Sequence, residues 1–288
     1  MPVAVVTDST AYLPAGLADR SGIRVIPIHV TVDGRSSLDG VDLGATDLVA
    51  ALGRRAAVHT AGPTPGELAA AYREVLATGV DAVVSVHLSR ALSSTWEAAR
   101  LAAEQVDPGR IRVVDSRSAG MGLGFAALAA CAAAAEGAAP TAVYRAAECV
   151  AARTRTFFSV DTLEHLRRGG RISSATALLG TALAVKPLLH VADGRIVALE
   201  KVRTASRARA RLVELVAEAA GSDQVDIAVH HLGAADRAAE LVELLHDRLP
   251  ALGECHVSEV GAAIGAHCGP GTLGAVVLPG GLRSRATS

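Results

Sequence analysis

The order in which short apolar runs and helical stretches follow one another is what most constrains this chain. Residues 3–6, 81–86 and 111–116 are brief and rich in β-branched side chains, as buried strands are. Helical stretches separate them: one from about Pro14, one over 46–54, one over 67–77 and an alanine-rich one after Ser94. Strands alternating with helices imply parallel strands joined by helical crossovers. The N-terminal half therefore reads as a mainly parallel sheet with helices on both faces. A further apolar run, 23–32, ends at the turn pair Asp33-Gly34. Residues 58–65, with two prolines and a glycine, read as a rigid loop.

Helical periodicity dominates from 119 to about 152, with a break at 137–140. The uncharged stretch 118–135 is long enough to raise the question of a membrane span. Nine of its eighteen residues are alanine, and Gly120, Gly122 and Gly124 interrupt it, so it reads as a buried core helix. Past residue 150 the pattern changes. Strands are expected at 157–160 and 186–190, with an antiparallel strand over 196–202 across the turn Asp193-Gly194. A small-residue helix is expected over 173–184, helices over 205–220 and 235–249, and strands over 225–230 and 254–260. The expectation is an α/β protein of two domains, 1–150 and 151–282, the second with a mixed sheet, followed by a frayed tail over 283–288.

Half the residues are apolar but only 2% are aromatic, so alanine, valine and leucine must build the core. A net charge of −1 argues against a general nucleic-acid binder. That total hides an imbalance: residues 153–211 hold twelve Lys/Arg against four Asp/Glu, leaving −9 for the rest. Cys131, Cys149, Cys255 and Cys268 are widely spaced and suggest reduced thiols, with no disulfide frame or zinc site. The N-terminus lacks the basic and apolar regions of a signal peptide. A soluble, cytoplasmic protein without an integral membrane span is expected.

In parallel α/β sheets, ligands bind outside the carboxyl ends of the strands. Asp8, Ser9, Ser93, Asp115 and Ser116 all follow strands in this reading and should gather at that edge. Ser94 precedes Glu97 by three residues, the spacing of a capping box. Ser93 then lies just outside a helix N-terminus, where free N–H groups and the helix dipole favour an anion, although capping alone also accounts for both serines. A hydrolase would take Ser93 as nucleophile, His267 as base and Asp115 or Asp8 as orienter, but the Gly-x-Ser-x-Gly elbow is absent. His230-His231 and His267-Cys268 lack the spacing of metal ligands. Arg167-Arg-Gly-Gly-Arg171 puts guanidinium groups beside flexible backbone N–H groups, which suits a phosphate or carboxylate, or is simply a solvated turn. No nucleotide-binding loop spacing is present.

Several short segments occur in the order of one known family: Thr7-Asp-Ser-Thr10, Leu92-Ser-Ser-Thr-Trp96, Val114-Asp-Ser-Arg-Ser118, Arg168-Gly-Gly-Arg-Ile172, Val185-Lys-Pro-Leu188, Lys201-Val-Arg203 and Ile264-Gly-Ala-His-Cys-Gly-Pro-Gly271. On these the chain resembles the DegV family of bacterial fatty-acid-binding proteins, the acyl-binding subunits of fatty acid kinase. The resemblance implies a long-chain fatty acid buried in a tunnel, its carboxylate held by Thr60, Ser93 and His267. It places Arg171 and Arg203 near the head-group mouth, facing a phosphate or the kinase, where Ser94, Asp8, Ser9, Asp115 and Ser116 of the sheet edge would join them. A separate kinase subunit would form the acyl phosphate, so the chain itself would not be catalytic and would need no cofactor beyond the bound acid. Ala61-Gly62 stand where the family carries Ser-Gln, and Trp96 where a tyrosine is common. The alternative is a serine esterase or acyltransferase using Ser93 and His267.

Overall fold

The structure is a computed structural model that describes residues 1–172 and 185–282. The helix expected over 173–184 and the tail 283–288 lie outside the described residues. The first half runs β1 (Val3–Asp8), α1 (Leu17–Arg20), β2 (Ile23–Ile26), β3 (His29–Val32), β4 (Arg35–Leu38) and α2 (Ala45–Gly53). It continues with β5 (Val58–Ala61), α3 (Pro65–Ala77), β6 (Ala82–His87), α4 (Thr95–Val106), β7 (Ile111–Asp115), α5 (Met121–Ala135) and α6 (Pro140–Arg153). The second half comprises β8 (Arg155–Ser159), α7 (Glu164–Arg168), β9 (Lys186–Ala192), β10 (Arg195–Val202) and α8 (Ala205–Ala220). After these come β11 (Val225–His231), α9 (Ala235–Arg248), β12 (Leu252–Glu259), α10 (Ala262–Cys268) and β13 (Leu273–Pro279).

The first sheet is parallel throughout, in the order β2-β1-β6-β7. Alternate side chains of a strand point to opposite faces, and here each face has its own helices. Val6 and Val83 pack on α3 and α4 with Leu68, Tyr72 and Ala99, whereas Val5, Val84 and Val86 pack on α5 and α6. The second sheet is mixed, in the order β10-β9-β8-β13-β11-β12, with only β11–β12 parallel. Its outer face carries α8 and α9 on Ile227, Val229, Ala275 and Val277. Its inner face turns Ala228, Val276 and Leu278 towards α5 and α6. The α5–α6 pair thus lies between the two sheets. From Met121 to Ala130, α5 is buried nearly all round, and a helix so buried must be apolar on every side, which accounts for the uncharged run there.

The apolar run 23–32 does not form one continuous strand: it breaks at Pro27-Ile28, and β3 leaves the parallel sheet for a separate antiparallel one, β4-β3-β5. Proline lacks the N–H that a continuing ladder needs. Asp33 and Gly34, with φ of 49° and 84°, then form the two-residue turn that returns β4 along β3. Nor is 58–65 wholly a loop, because its first four residues, Val58–Ala61, pair with β3 as β5. The Asp193-Gly194 turn joins β9 and β10 as expected.

Candidate functional site

Between the sheets, past the start of α5, lies a cavity of about 390 Å³, within the roughly 300–1,000 Å³ usual for small-molecule sites. Its walls are mostly apolar: Leu88 and Leu92 from the first half, Phe157, Phe158, Ile196 and Val276 from the second. The lining follows β13 from Thr272 to Val276, about 13 Å at roughly 3.3 Å per residue. Thr60, Ser93, Ser94, Arg171 and His267 line it as well.

Each polar side chain arrives on a different element. Thr60 projects from β5, and its Oγ1 is 2.8 Å from Nε2 of His267 on α10. Burial, and secondarily the Arg171 guanidinium, push the His267 imidazole down to about 4, so the ring is neutral at pH 7. Its Nδ1 is buried and has no hydrogen-bond partner among the described residues. Ser93 sits in the β6–α4 connection, its N–H bonded to the Ser89 carbonyl at 3.1 Å and its Oγ 2.9 Å from Thr95 Oγ1. Arg171 reaches across from the second half, donating from Nε to the Leu92 carbonyl at 3.1 Å and from Nη1 to the Gly169 carbonyl. A buried carboxylate without partners costs several kcal/mol. Two hydroxyl donors, at about 1.5–3 kcal/mol for each bond to a charged group, and one guanidinium offset such a cost.

The capping box expected at Ser94 does not form. Ser94 has φ −76° and ψ 0° and makes no side-chain cap bond, because an N-cap hydroxyl reaches the helix only from extended backbone. Ser93 Oγ instead accepts from the Thr95 N–H at 3.3 Å. Gly62 explains how β5 comes so close: a Cβ there would stand 2.7 Å from Thr95 Oγ1.

Asp8, Ser9, Asp115 and Ser116 follow the strand ends as expected but do not line this cavity. Asp8 is fully buried and accepts from Thr10, from His87 Nδ1 at 3.0 Å and from the Leu88 N–H at 3.0 Å. His87 Nε2 bonds Ser85 Oγ, which in turn accepts from Tyr72. This Asp-His-Ser row has the look of a triad, but all three side chains are sealed from solvent. Ser9 donates to Asp39, Asp115 pairs with Arg90, and Ser116 donates to the Ser118 carbonyl. Arg203 is exposed and outside the cavity lining. Much of the basic block is paired internally: Arg211 with Glu200, Glu214 and Glu218, Arg209 with Glu240, Lys186 with Asp161. For the hydrolase reading, Nε2 of His267 engages Thr60 and, among the described residues, no carboxylate meets its Nδ1. Among the described residues, no cluster of three potential metal ligands occurs.

Three residues that sequence reasoning missed hold the site together. Asp39, 1% exposed, accepts from the Ala262 and Ala263 N–H groups at 2.7 and 3.2 Å, so it caps α10 from 223 positions away. Tyr12 donates to Asp39 and accepts from the Ile264 N–H. Burial raises the carboxyl of Asp39 despite these donors. The third, His230, accepts from the Met121 N–H at 2.8 Å, which leaves its proton on Nδ1, facing Ser258. Burial pushes its imidazole down to about 4. Nothing local in the sequence signals these contacts.

A family model described as "Uncharacterised protein, DegV family" matches residues 2–280. A DegV domain-containing protein of Streptomyces coelicolor is 52% identical over 275 residues, covering 96% of this chain and 98% of that one. Among solved structures, the fatty-acid-binding DegV family protein of Thermus thermophilus superposes with a TM-score of 0.91 at 37% identity, covering 97% of this chain and all of that one. Bacillus subtilis DegV, also described as a fatty acid binding protein, gives 0.87 at 36% identity, covering 96% and 99%. Among the described residues, no helix is long and apolar enough to cross a membrane.

Proposed function

The chain belongs to the DegV family, and from that premise we propose that it binds one long-chain fatty acid in the cavity between its sheets. The carboxylate lies at Thr60, Ser93 and His267, with Arg171 alongside. The acid's tail follows the apolar wall along β8 and β13. The observation that carries this reading is one cavity with a largely apolar lining and a neutral His267–Thr60 pair, joined there by Ser93 and Arg171.

The two parts do different work. Burying about fifteen methylenes at roughly 0.8 kcal/mol each gives some 12 kcal/mol gross, before ordering costs. The tail therefore supplies affinity, and the polar set fixes which end faces out. In this reading the chain is a cytosolic carrier, not an enzyme. It presents the carboxylate to a separate kinase subunit, which converts it to an acyl phosphate. Exposed Arg203 and Arg207 on the second half face that kinase.

Native mass spectrometry of the purified protein tests the ligand. A stoichiometric fatty acid, released on denaturation, is expected, with no turnover of ester substrates. An empty protein that takes up no added fatty acid would overturn the reading. Ester turnover lost in Ser93→Ala would replace it with the esterase.

A further inference from the structure

The turn Arg168-Gly-Gly-Arg171 contains two adjacent glycines with opposite reasons for being glycine. Gly170 has φ +68° and nothing within 4 Å of the place a Cβ would occupy. Its requirement is conformational, since left-handed backbone is costly for other residues. Gly169 has φ −74° and ψ −10°, an ordinary right-handed helical conformation that any residue adopts. What excludes a side chain there is space. A Cβ at 169 would stand 2.1 Å from His267 Nδ1 and 2.9 Å from its Cε1.

The other side of Gly169 is engaged as well, because its carbonyl accepts from Arg171 Nη1. One residue thus touches both the imidazole and the guanidinium that line the polar part of the cavity. The packing of α7 on α10 is reciprocal. At Gly269, φ +77°, a Cβ would fall 2.4 Å from His165 Cδ2. Each helix therefore carries a histidine that lies where the other offers a bare Cα.

We propose that Gly169 is a positioning residue for the ligand head group: its bare Cα lets the His267 ring lie flat enough to reach Thr60, and its carbonyl sets Arg171 beside it. This rests on the fatty-acid reading for its consequence, though not for its geometry. With the Nδ1 edge closed off by Gly169, His267 presents Nε2 alone to the cavity. A methyl group at 169 pushes the ring away from Thr60, so both polar partners of the carboxylate move together.

Four proteins test this: Gly169→Ala, Gly170→Ala, His267→Ala and the double variant Gly169→Ala/His267→Ala. Affinity is read by displacement of a fluorescent long-chain fatty acid, and the His267 ring by its NMR resonances in the ligand-free protein. Gly169→Ala is expected to weaken binding about tenfold or more and to shift the His267 signals and their titration midpoint towards those of a solvated ring. Gly170→Ala melts at a lower temperature and keeps the parent affinity. In the His267→Ala background, Gly169→Ala adds no further loss, because contacting residues are not additive. Should Gly169→Ala alone fail to fold, the double variant, which lacks the clash, is expected to fold. An unshifted His267 resonance in Gly169→Ala, full additivity with His267→Ala, or a double variant no better folded than the single one would overturn the proposal. A parent protein that binds no fatty acid would instead defeat the functional reading, and the His267 resonances would still decide the positioning role.

Discussion

Thr60 and His267 stand 207 positions apart in sequence and 2.8 Å apart in space. One comes from the edge strand of the small antiparallel sheet, the other from the last turn of α10. Both side chains line the cavity between the sheets, and the pair forms the centre of the proposed site.

Ser93→Ala and Thr60→Val should each lower fatty-acid affinity by about tenfold, equivalent to roughly 1.4 kcal/mol. Among the described residues the Ser93 hydroxyl bonds only to nearby Thr95, so its ligand-free variant should melt close to the ligand-free parent. Calorimetric melting of both ligand-free proteins checks this. A drop of many degrees for Ser93→Ala would mean that the hydroxyl is structural.

Stability should fall as the pH drops from about 6.5 towards 4. His230 and His267 are both held down to about 4 in the folded protein, by burial first and, for His267, by Arg171 next. An unfolded histidine titrates near 6.5, so the unfolded chain takes up protons first on acidification. The stability these rings contribute is complete above about pH 6.5 and drains until the folded value is reached. For His230, 7% exposed, the loss is about 3 kcal/mol. Urea unfolding across this range should show a shallower decline in His230→Gln than in the parent, and equal slopes would refute the assignment.

Removing either member of the Asp8–His87 pair should be costly in a way that removing Ser93 is not. Both side chains are 0% exposed, and Asp8 also holds the Leu88 N–H at the start of the Ser93 loop. Deleting one partner of a buried hydrogen bond leaves the other unsatisfied, at a cost of about 1–3 kcal/mol. His87→Ala should therefore lower the denaturation midpoint strongly, as equilibrium urea unfolding would read. A near-parental midpoint would show that the row carries no load.

Charge reversal at Arg203 and Arg207, both exposed, should weaken association with the proposed kinase subunit and leave fatty-acid affinity untouched. The loss should shrink as salt rises, since exposed charges are screened beyond about 8–10 Å at physiological ionic strength. Association measured at two salt concentrations checks it. Unchanged association would remove these arginines from the docking surface.

Where the sequence was legible, local signals sufficed. The runs at β1, β6 and β7 and the uncharged α5 carry their period and composition within a single window, and Asp33-Gly34 and Asp193-Gly194 announce their turns. Where it was not, the partner lay far off. Val58–Ala61 is a strand only because β3 pairs with it. Gly261 to Gly271 holds a helix whose first N–H groups are satisfied by Asp39. The position of Asp8 at a strand end suggests the head-group edge, and its burial against His87 cannot be read from that position.

From its sequence alone the chain was bound to parallel strands with helical crossovers, to a second half with a mixed sheet, and to the short segments that mark its family. These follow from apolar period, turn chemistry and the identity of a few residues. Only the tertiary structure decided which polar side chains meet. Hydrogen bonds such as Thr60 to His267, and exclusions such as Gly169 against the imidazole, act over about 3 Å between elements far apart in the chain. Burial then does what no residue type specifies by itself: it strips water from His267, keeps it neutral and leaves an apolar-walled cavity beside it.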